Sequence, residues 1–326
     1  MVAGFVIGVD GGGTRSRAVA VSIEGERLGE VNGGPLNVNT TETGTFTESL
    51  DSLFQQFRDL HRLDASAAVQ TVIGTASLFT SLDHGKAARL CGGLLPAERL
   101  TVVGDVVSAL FGATLGAPGL LVVSGTGSIA AGMDEQERCR TTGGLGPAIG
   151  GDPGSARWIA NEVLLHASAE SCNGDRPNEL TGLICGHFGV ASFQELIPEI
   201  YTGVEPAKRL ADFSRVIAES DLRVESFWLE ILRRAGRRLA MLCLPLLAGP
   251  GLTNWPGVVH ASGSVLTNNA TVHSAFEAEL ATLAKRPLSV ESPRLPAAEG
   301  AALMALKAFN SSPVAVAAAR LAKRES

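Results

Sequence analysis

Two short glycine clusters and a few aspartates are the residues of this sequence whose types and spacing could do chemistry. Asp10-Gly-Gly-Gly-Thr14 follows the hydrophobic run Phe5-Val-Ile-Gly-Val9. Three glycines let a backbone present its N–H groups to an anion without Cβ interference, and Thr14 adds a hydroxyl donor. Asp10, ending the run, could hold a magnesium ion through oxygen contacts. A hairpin turn is the plainer reading, but Asp-Gly alone satisfies one. Ser124-Gly-Thr-Gly-Ser128 follows a second hydrophobic run with two glycines and three hydroxyls. Gly125, Gly127 and Ala130 also match G-x-G-x-x-A, yet the following Ile129-Ala-Ala-Gly-Met133 lacks a helix start signal. No acidic residue ends a strand where a dinucleotide fold would place one. A phosphate-binding hairpin explains both clusters, whereas a dinucleotide turn explains one. The P-loop pattern is absent, since Gly85-Lys86 is followed by Ala87.

Asp105 follows the strand-like Leu100-Thr-Val-Val-Gly104 and opens an apolar helix-like segment. A carboxylate there is oriented by rigid elements and suits proton abstraction from a hydroxyl, although helix N-caps are far commoner than bases. Asp152, in Gly150-Gly-Asp-Pro-Gly154, carries the same two readings. No G-x-S-x-G or H-E-x-x-H occurs, and the six histidines form no metal spacing. The five cysteines, at 91, 139, 172, 185 and 243, show no C-x-x-C and read as reduced thiols packed as small hydrophobes.

The elements that must position these residues follow from hydrophobic period. Strands are expected over 4–10, 16–23 and 28–31, a helix over 45–61 from Phe46, Leu50, Leu53, Phe54, Phe57 and Leu60, and a strand over 69–76. A helix over 84–95, a strand over 100–104 and a helix over 106–115 lead to Ala117-Pro-Gly119, the expected domain boundary. The pattern then restarts with strands at 120–123, 129–133 and 137–142, and a glycine-dense loop at 143–154. Helices dominate from Ser155 to about Leu247. A strand at 258–261, a helix at 268–285, a strand at 288–290 and a helix at 297–309 complete the chain. Two related α/β domains are implied.

Bulk numbers narrow the classes. The chain has 326 residues, of which 45% are hydrophobic and 18% charged, which fits a globular protein with a real core. Its 38 glycines are about 12% against a typical ~7%, without any collagen-like period. A net charge of −6 with no basic block gives no footprint for nucleic acid or an anionic membrane. The one arginine cluster, Arg233, Arg234, Arg237 and Arg238, shares its segment with Glu225 and Glu230 and reads as a solvated helix face. The N-terminus runs straight into a strand rather than a signal peptide, and no apolar stretch suggests a membrane span, so a cytoplasmic location is expected.

The ordered motifs Asp10–Thr14, Gly33-Gly-Pro-Leu-Asn37, Gly104-Asp105, Ser124–Ser128, Gly143-Gly-Leu-Gly146, Gly151-Asp-Pro-Gly-Ser155, Gly263-Ser-Val265 and Gly300-Ala-Ala302 resemble the N-acetylglucosamine kinase branch of the BadF/BadG/BcrA/BcrD ATPase family, within the sugar kinase–Hsp70–actin superfamily. The resemblance covers nearly the whole chain. It implies two ribonuclease-H-like βββαβα domains, an actin-like ATPase fold, flanking an ATP and substrate cleft. The first would span 1–117, rejoined by a helix after about 298, and the second 118–297. Gly11, Gly12, Gly13 and Thr14, with Gly125, Thr126, Gly127 and Ser128, would grip ATP phosphates. Gly263 and Ser264 would border the adenosine. Asp10 and Asp105 would serve magnesium, and Asp105 would be the general base. Asn37, Ser77, Asp105, Gly144, Leu145 and Asp152 would meet an amino sugar, phosphorylated at a hydroxyl such as the 6-OH. A homodimer is implied. Relatives usually read Gly-Gly-Trp-Gly and Gly-Asp-Glu-Gly-Ser, where this chain has Leu145 and Pro153, so the identity of the sugar is what these departures touch. The family's other branch, activators of 2-hydroxyacyl-CoA dehydratases, needs cysteine-bound iron–sulfur, for which Cys139 and Cys172 lack a glycine-rich context. A non-catalytic sugar sensor on the same fold is the remaining alternative.

Overall fold

The computed structural model describes residues 4–39, 41–78, 81–146, 148–172, 178–202, 206–248, 255, 257–284, 287–309, 317, 320 and 321. In chain order the elements begin with β1 Phe5–Gly11, β2 Ser16–Ser22, β3 Arg27–Gly33, α1 Thr43–His61, β4 Gln70–Thr75, α2 Ser81–Cys91, β5 Leu100–Gly104 and α3 Asp105–Thr114. Strands β6 Gly119–Ser124, β7 Ser128–Met133 and β8 Cys139–Gly143 follow, then helices α4 Ala156–Cys172, α5 Glu179–Phe188, α6 Leu196–Tyr201, α7 Pro206–Glu219 and α8 Ser226–Leu247. The chain closes with β9 Val258–Ser262, α9 Ser264–Asn268, α10 Ala270–Ala284, β10 Ser289–Glu291 and α11 Ala297–Phe309. One compact unit takes the described residues through Leu121, Met133–Cys139 and those from Ser292 onward; the other takes Val122–Gly132 and Arg140–Glu291.

The first sheet has the order β3-β2-β1-β4-β5. Strands β1, β2 and β3 form an antiparallel meander, and β4 and β5 add in parallel to β1. Alternation along β1 divides the faces. Phe5, Ile7 and Val9 join a buried cluster with Phe46, Leu50, Leu53 and Phe57 of α1. This is the helical stripe read from sequence, with Leu60 in the last turn left exposed. The opposite face carries Val6, Gly8 and Asp10, and α11 packs on it. Gly8 is required there, because a Cβ would stand 2.2 Å from both Ala298 O and Ala302 N.

Helix α11 is also tied down electrostatically. Glu299 is fully buried and receives Nη1 of Arg17 at 2.6 Å and Nη2 of Arg27 at 2.5 Å. Arg17 Nε also donates to Glu30 at 2.6 Å, and these Arg17 bonds hold the Glu30 carboxyl below its usual range. A segment near the chain's end is thereby fixed to β2 and β3 by charge-assisted bonds.

The second sheet, order β10-β9-β6-β7-β8, is mixed, like the first. In the unit that contains most of it, α8 buries Trp228, Ile231, Leu232, Ala235 and Leu239 against α10 and α4. Arg233 and Arg237 of α8 pair with Glu230, and Arg234 with Glu162. The apolar stretch Glu179–Tyr201, mean hydropathy 1.2, is long enough to cross a membrane by composition. It is not one helix, however, since α5 ends at Gly189 in the left-handed conformation before α6 begins. The short helix α9, separate from α10, is an element that the sequence reading merged into a loop and one longer helix.

Candidate functional site

In the first unit, register places the candidate residues together. Gly11 pairs with Thr75 of β4, and Thr75 pairs with Gly104 of β5. The parallel strands β1, β4 and β5 therefore end level, and ligand sites of open α/β sheets lie beyond such ends. Asp10 and Asp105 stand there two strands apart. Gly74 of β4 opposes Asp10, so no side chain intrudes between them; a Cβ on Gly74 would meet Ser108 Oγ at 2.5 Å. Burial, then the neighbouring Asp105 charge, pushes the Asp10 carboxyl up to about 6, while Arg17, directly across the strand pair, opposes the shift. Burial also raises Asp105, opposed by the Val106 N–H, which donates to its Oδ1 at 2.8 Å. Two half-buried carboxylates that repel each other suit a divalent cation or a shared proton.

The 11–13 turn is closed by Gly12 N–H to Arg15 O, and Leu36 N–H donates to Gly12 O at 2.9 Å. Thr75 Oγ1 donates to Leu36 O at 2.6 Å, which fixes the segment leading to Asn37. Asn37 is buried, bridges to Ala76, and accepts Asn39 N–H on its Oδ1. Ser77 has a left-handed backbone, φ 64°, and its carbonyl accepts from Asn39 Nδ2. Asn37 and Ser77 thus share the strand-end region with Asp10 and Asp105. Thr14 is exposed.

In the second unit the 124–128 turn is stitched to the loop after it. Gly125 N–H donates to Gly127 O, Ser124 Oγ to Gly154 O and Ser128 Oγ to Pro153 O, and Ala156 N–H to Gly125 O, at 2.9–3.0 Å. Asp152 is buried beneath Gly127 and accepts a bond from Arg157 Nη2. Gly144 N–H donates to Ser128 O, so Gly144 joins the same turn, whereas Leu145 projects into solvent, 54% exposed. Gly263 packs on the turn's first residue, where a Cβ would stand 2.3 Å from Ser124 O.

A pocket of about 360 Å³ begins at Gly125 and Thr126 and is lined by Ser264, Asn268, Asp212 and Trp228, among others. Its volume lies in the range of small-molecule sites. It unites the turn with the 263–264 segment. The wall from α7, including Asp212 and Arg215, escaped the sequence reading, because an amphipathic helix with scattered charges carries no motif. Arg157 and Glu299 were likewise missed.

Each turn holds one glycine with free space beside it. A Cβ on Gly125 would meet nothing within 4 Å, and one on Gly13 only Asn37 Nδ2 at 3.8 Å. Neither glycine has a positive φ. The chain's own packing does not demand glycine at either position. For magnesium, Asp10 and Asp105 supply hard oxygen donors; among the described residues no three metal-binding side chains cluster.

This architecture, two mixed five-stranded sheets with flanking helices, is the actin-like ATPase fold. A profile of the BadF/BadG/BcrA/BcrD ATPase family matches residues 7–305, and the chain belongs to that family. Over 272 residues it is 26% identical to an N-acetylmuramic acid/N-acetylglucosamine kinase of Clostridium acetobutylicum, covering 83% of this chain and 89% of that one. Its fold is similar to that of a candidate N-acetylglucosamine kinase from Chromobacterium violaceum, with TM-score 0.71 and 22% identity over 94% of this chain and 100% of the other. A second such candidate, from Porphyromonas gingivalis, gives TM-score 0.66 at 19% identity, over 94% and 99% of the two chains.

Proposed function

We propose that this protein is an ATP-dependent amino-sugar kinase, phosphorylating a hydroxyl, the 6-OH by preference, of N-acetylglucosamine or a related hexosamine. The observation that carries the reading is the raised Asp10–Asp105 carboxylate pair at the ends of three level strands, beside the glycine turn 11–13. The Clostridium relative's name supports the sugar class.

In this reading Asp105 accepts the proton of the sugar hydroxyl as its oxygen bonds to the γ-phosphorus and the bond to the β-phosphate oxygen breaks, releasing ADP. A carboxyl raised toward neutrality is the stronger base, and a positioned base contributes about 10²–10⁴-fold. Asp10 would hold magnesium, which would neutralise phosphate charge. Gly11, Gly12, Gly13 and Thr14, with Gly125, Thr126, Gly127 and Ser128, border the phosphates; the Gly12 and Gly125 N–H groups and the Ser128 hydroxyl already donate within the protein, so the turns' remaining donors orient the nucleotide. Ser264 and the pocket behind it receive the adenosine. Asn37, Ser77, Gly144 and Leu145 contact the sugar, Leu145 and Pro153 adjust which one, and Asp152, its carboxylate buried against Arg157, shapes the loop beside them.

The test is ADP release with a panel of glucosamine, N-acetylglucosamine, N-acetylmannosamine, N-acetylmuramic acid and glucose, with mass spectrometry of products. At least one amino sugar should stimulate release, and Asp105→Asn should lower kcat about 10²–10⁴-fold while ATP still binds. If no sugar in the panel stimulates release, the kinase reading is wrong.

A further inference from the structure

Asp152 is an aspartate held where aspartates rarely stay. Its φ is 43° and it is 3% exposed, so the surroundings must impose both strain and desolvation. What imposes them is Arg157, in the first turn of α4. Its Nη2 donates to Asp152 Oδ2, the oxygen that lies 3.1 Å from where a Cβ on Gly127 would stand. The carboxylate is therefore wedged between the guanidinium and the middle of the 124–128 turn. The loop carrying it is sewn to that turn at both flanks by Ser124 and Ser128. Arg157 is itself mostly buried, and its Nε finds no partner among the described residues. A buried ion pair with an unsatisfied donor is a poor stabilising device compared with apolar packing. What the pair does keep is the carboxylate packed against Gly127.

We propose that Arg157 is a positioning residue for nucleotide phosphate, acting through the Asp152 carboxylate on the 124–128 turn. The inference rests on the reading that this turn takes phosphate, but not on the identity of the sugar. Because Arg157→Met alone would strand a buried carboxylate, the informative variant is the neutral pair Asp152→Asn with Arg157→Met, alongside Arg157→Lys.

The experiment is calorimetric titration of wild type and both variants with ATP, ADP and adenosine, without sugar, next to their thermal midpoints. The neutral pair should melt near wild type yet lose about tenfold in affinity for ATP and ADP, with adenosine far less affected, since adenosine carries no phosphate for the turn to hold. Arg157→Lys keeps the charge but not the planar guanidinium and should lose about threefold for ATP and ADP. A merely structural role would weaken all three ligands together. Wild-type ATP affinity in the folded neutral pair, or in Arg157→Lys should the pair not fold, overturns the proposal, as does equal loss for adenosine. A wild type that binds ATP but answers to no sugar sinks the kinase reading and leaves this inference standing.

Discussion

The two glycine turns share an outline and differ in what braces them. The 11–13 turn belongs to a strand pair anchored from a distant part of the chain, since Arg17, opposite Asp10, reaches Glu299 on α11. The 124–128 turn is braced locally, by Asp152 and Arg157 in the loop and helix that follow it. Both keep a glycine that nothing in the folded chain requires, Gly13 in one and Gly125 in the other. By contrast, Gly144 and Gly154 beside the second turn have φ of 70° and 80°, which other residues adopt only at a cost. The shared feature is a glycine with room beside it, and the differing features are how each unit holds its turn in place.

Breaking the distant brace should have the largest effect. Glu299→Gln leaves Arg17 and Arg27 short of a buried counter-charge and should cost about 3–5 kcal/mol, read as a lowered midpoint in denaturant unfolding. Gly154→Ala should follow at about 3 kcal/mol, combining a left-handed backbone with a Cβ placed 2.6 Å from Ala235 O. If Gly154→Ala melts like wild type, the claim that this loop's glycines serve the backbone fails. Gly13→Ala and Gly125→Ala should do the opposite. Each should leave the thermal midpoint within about 2 °C and weaken ATP binding about tenfold, as seen in titration calorimetry. Unchanged ATP affinity in both would remove the main argument for two phosphate turns.

The contrast also explains what was legible in the sequence. The strand-turn-strand openings, the α1 stripe from Phe46 to Phe57 and Asp105 at a strand end all leave local signatures of period and spacing. The braces leave none. Arg17 and Glu299 are ordinary charged residues until register and helix packing bring them together, and Arg157 looks like a surface residue in a helical first turn. The spare glycines were legible as glycines, but only the backbone φ and the space around a missing Cβ separate Gly125 from Gly154. The pocket wall from α7 was invisible for the same reason as the braces: its residues converge by packing, not by spacing.

The smallest predicted effect tests whether the first turn is built for a cation. The Asp10 carboxyl is raised from 3.8 to about 6 by burial and by Asp105. The native state then holds a proton that the unfolded chain releases, so stability falls as pH rises between those values and the native chain bears the full penalty above about 6. Asp10→Asn removes that penalty. It should therefore unfold later than wild type at pH 7.5, by about 1 kcal/mol once the side chain's partial exposure is allowed for, and show no such gain below pH 4, where the carboxyl is protonated in both states. Adding magnesium with ATP at pH 7.5 should reverse the order, because a ligand that binds only the native state stabilises the wild type and not a variant lacking the oxygen donor. A gain that persists at low pH would mean that Asp10 is strained by packing rather than by charge. A gain that magnesium and ATP leave untouched would separate Asp10 from the cation altogether.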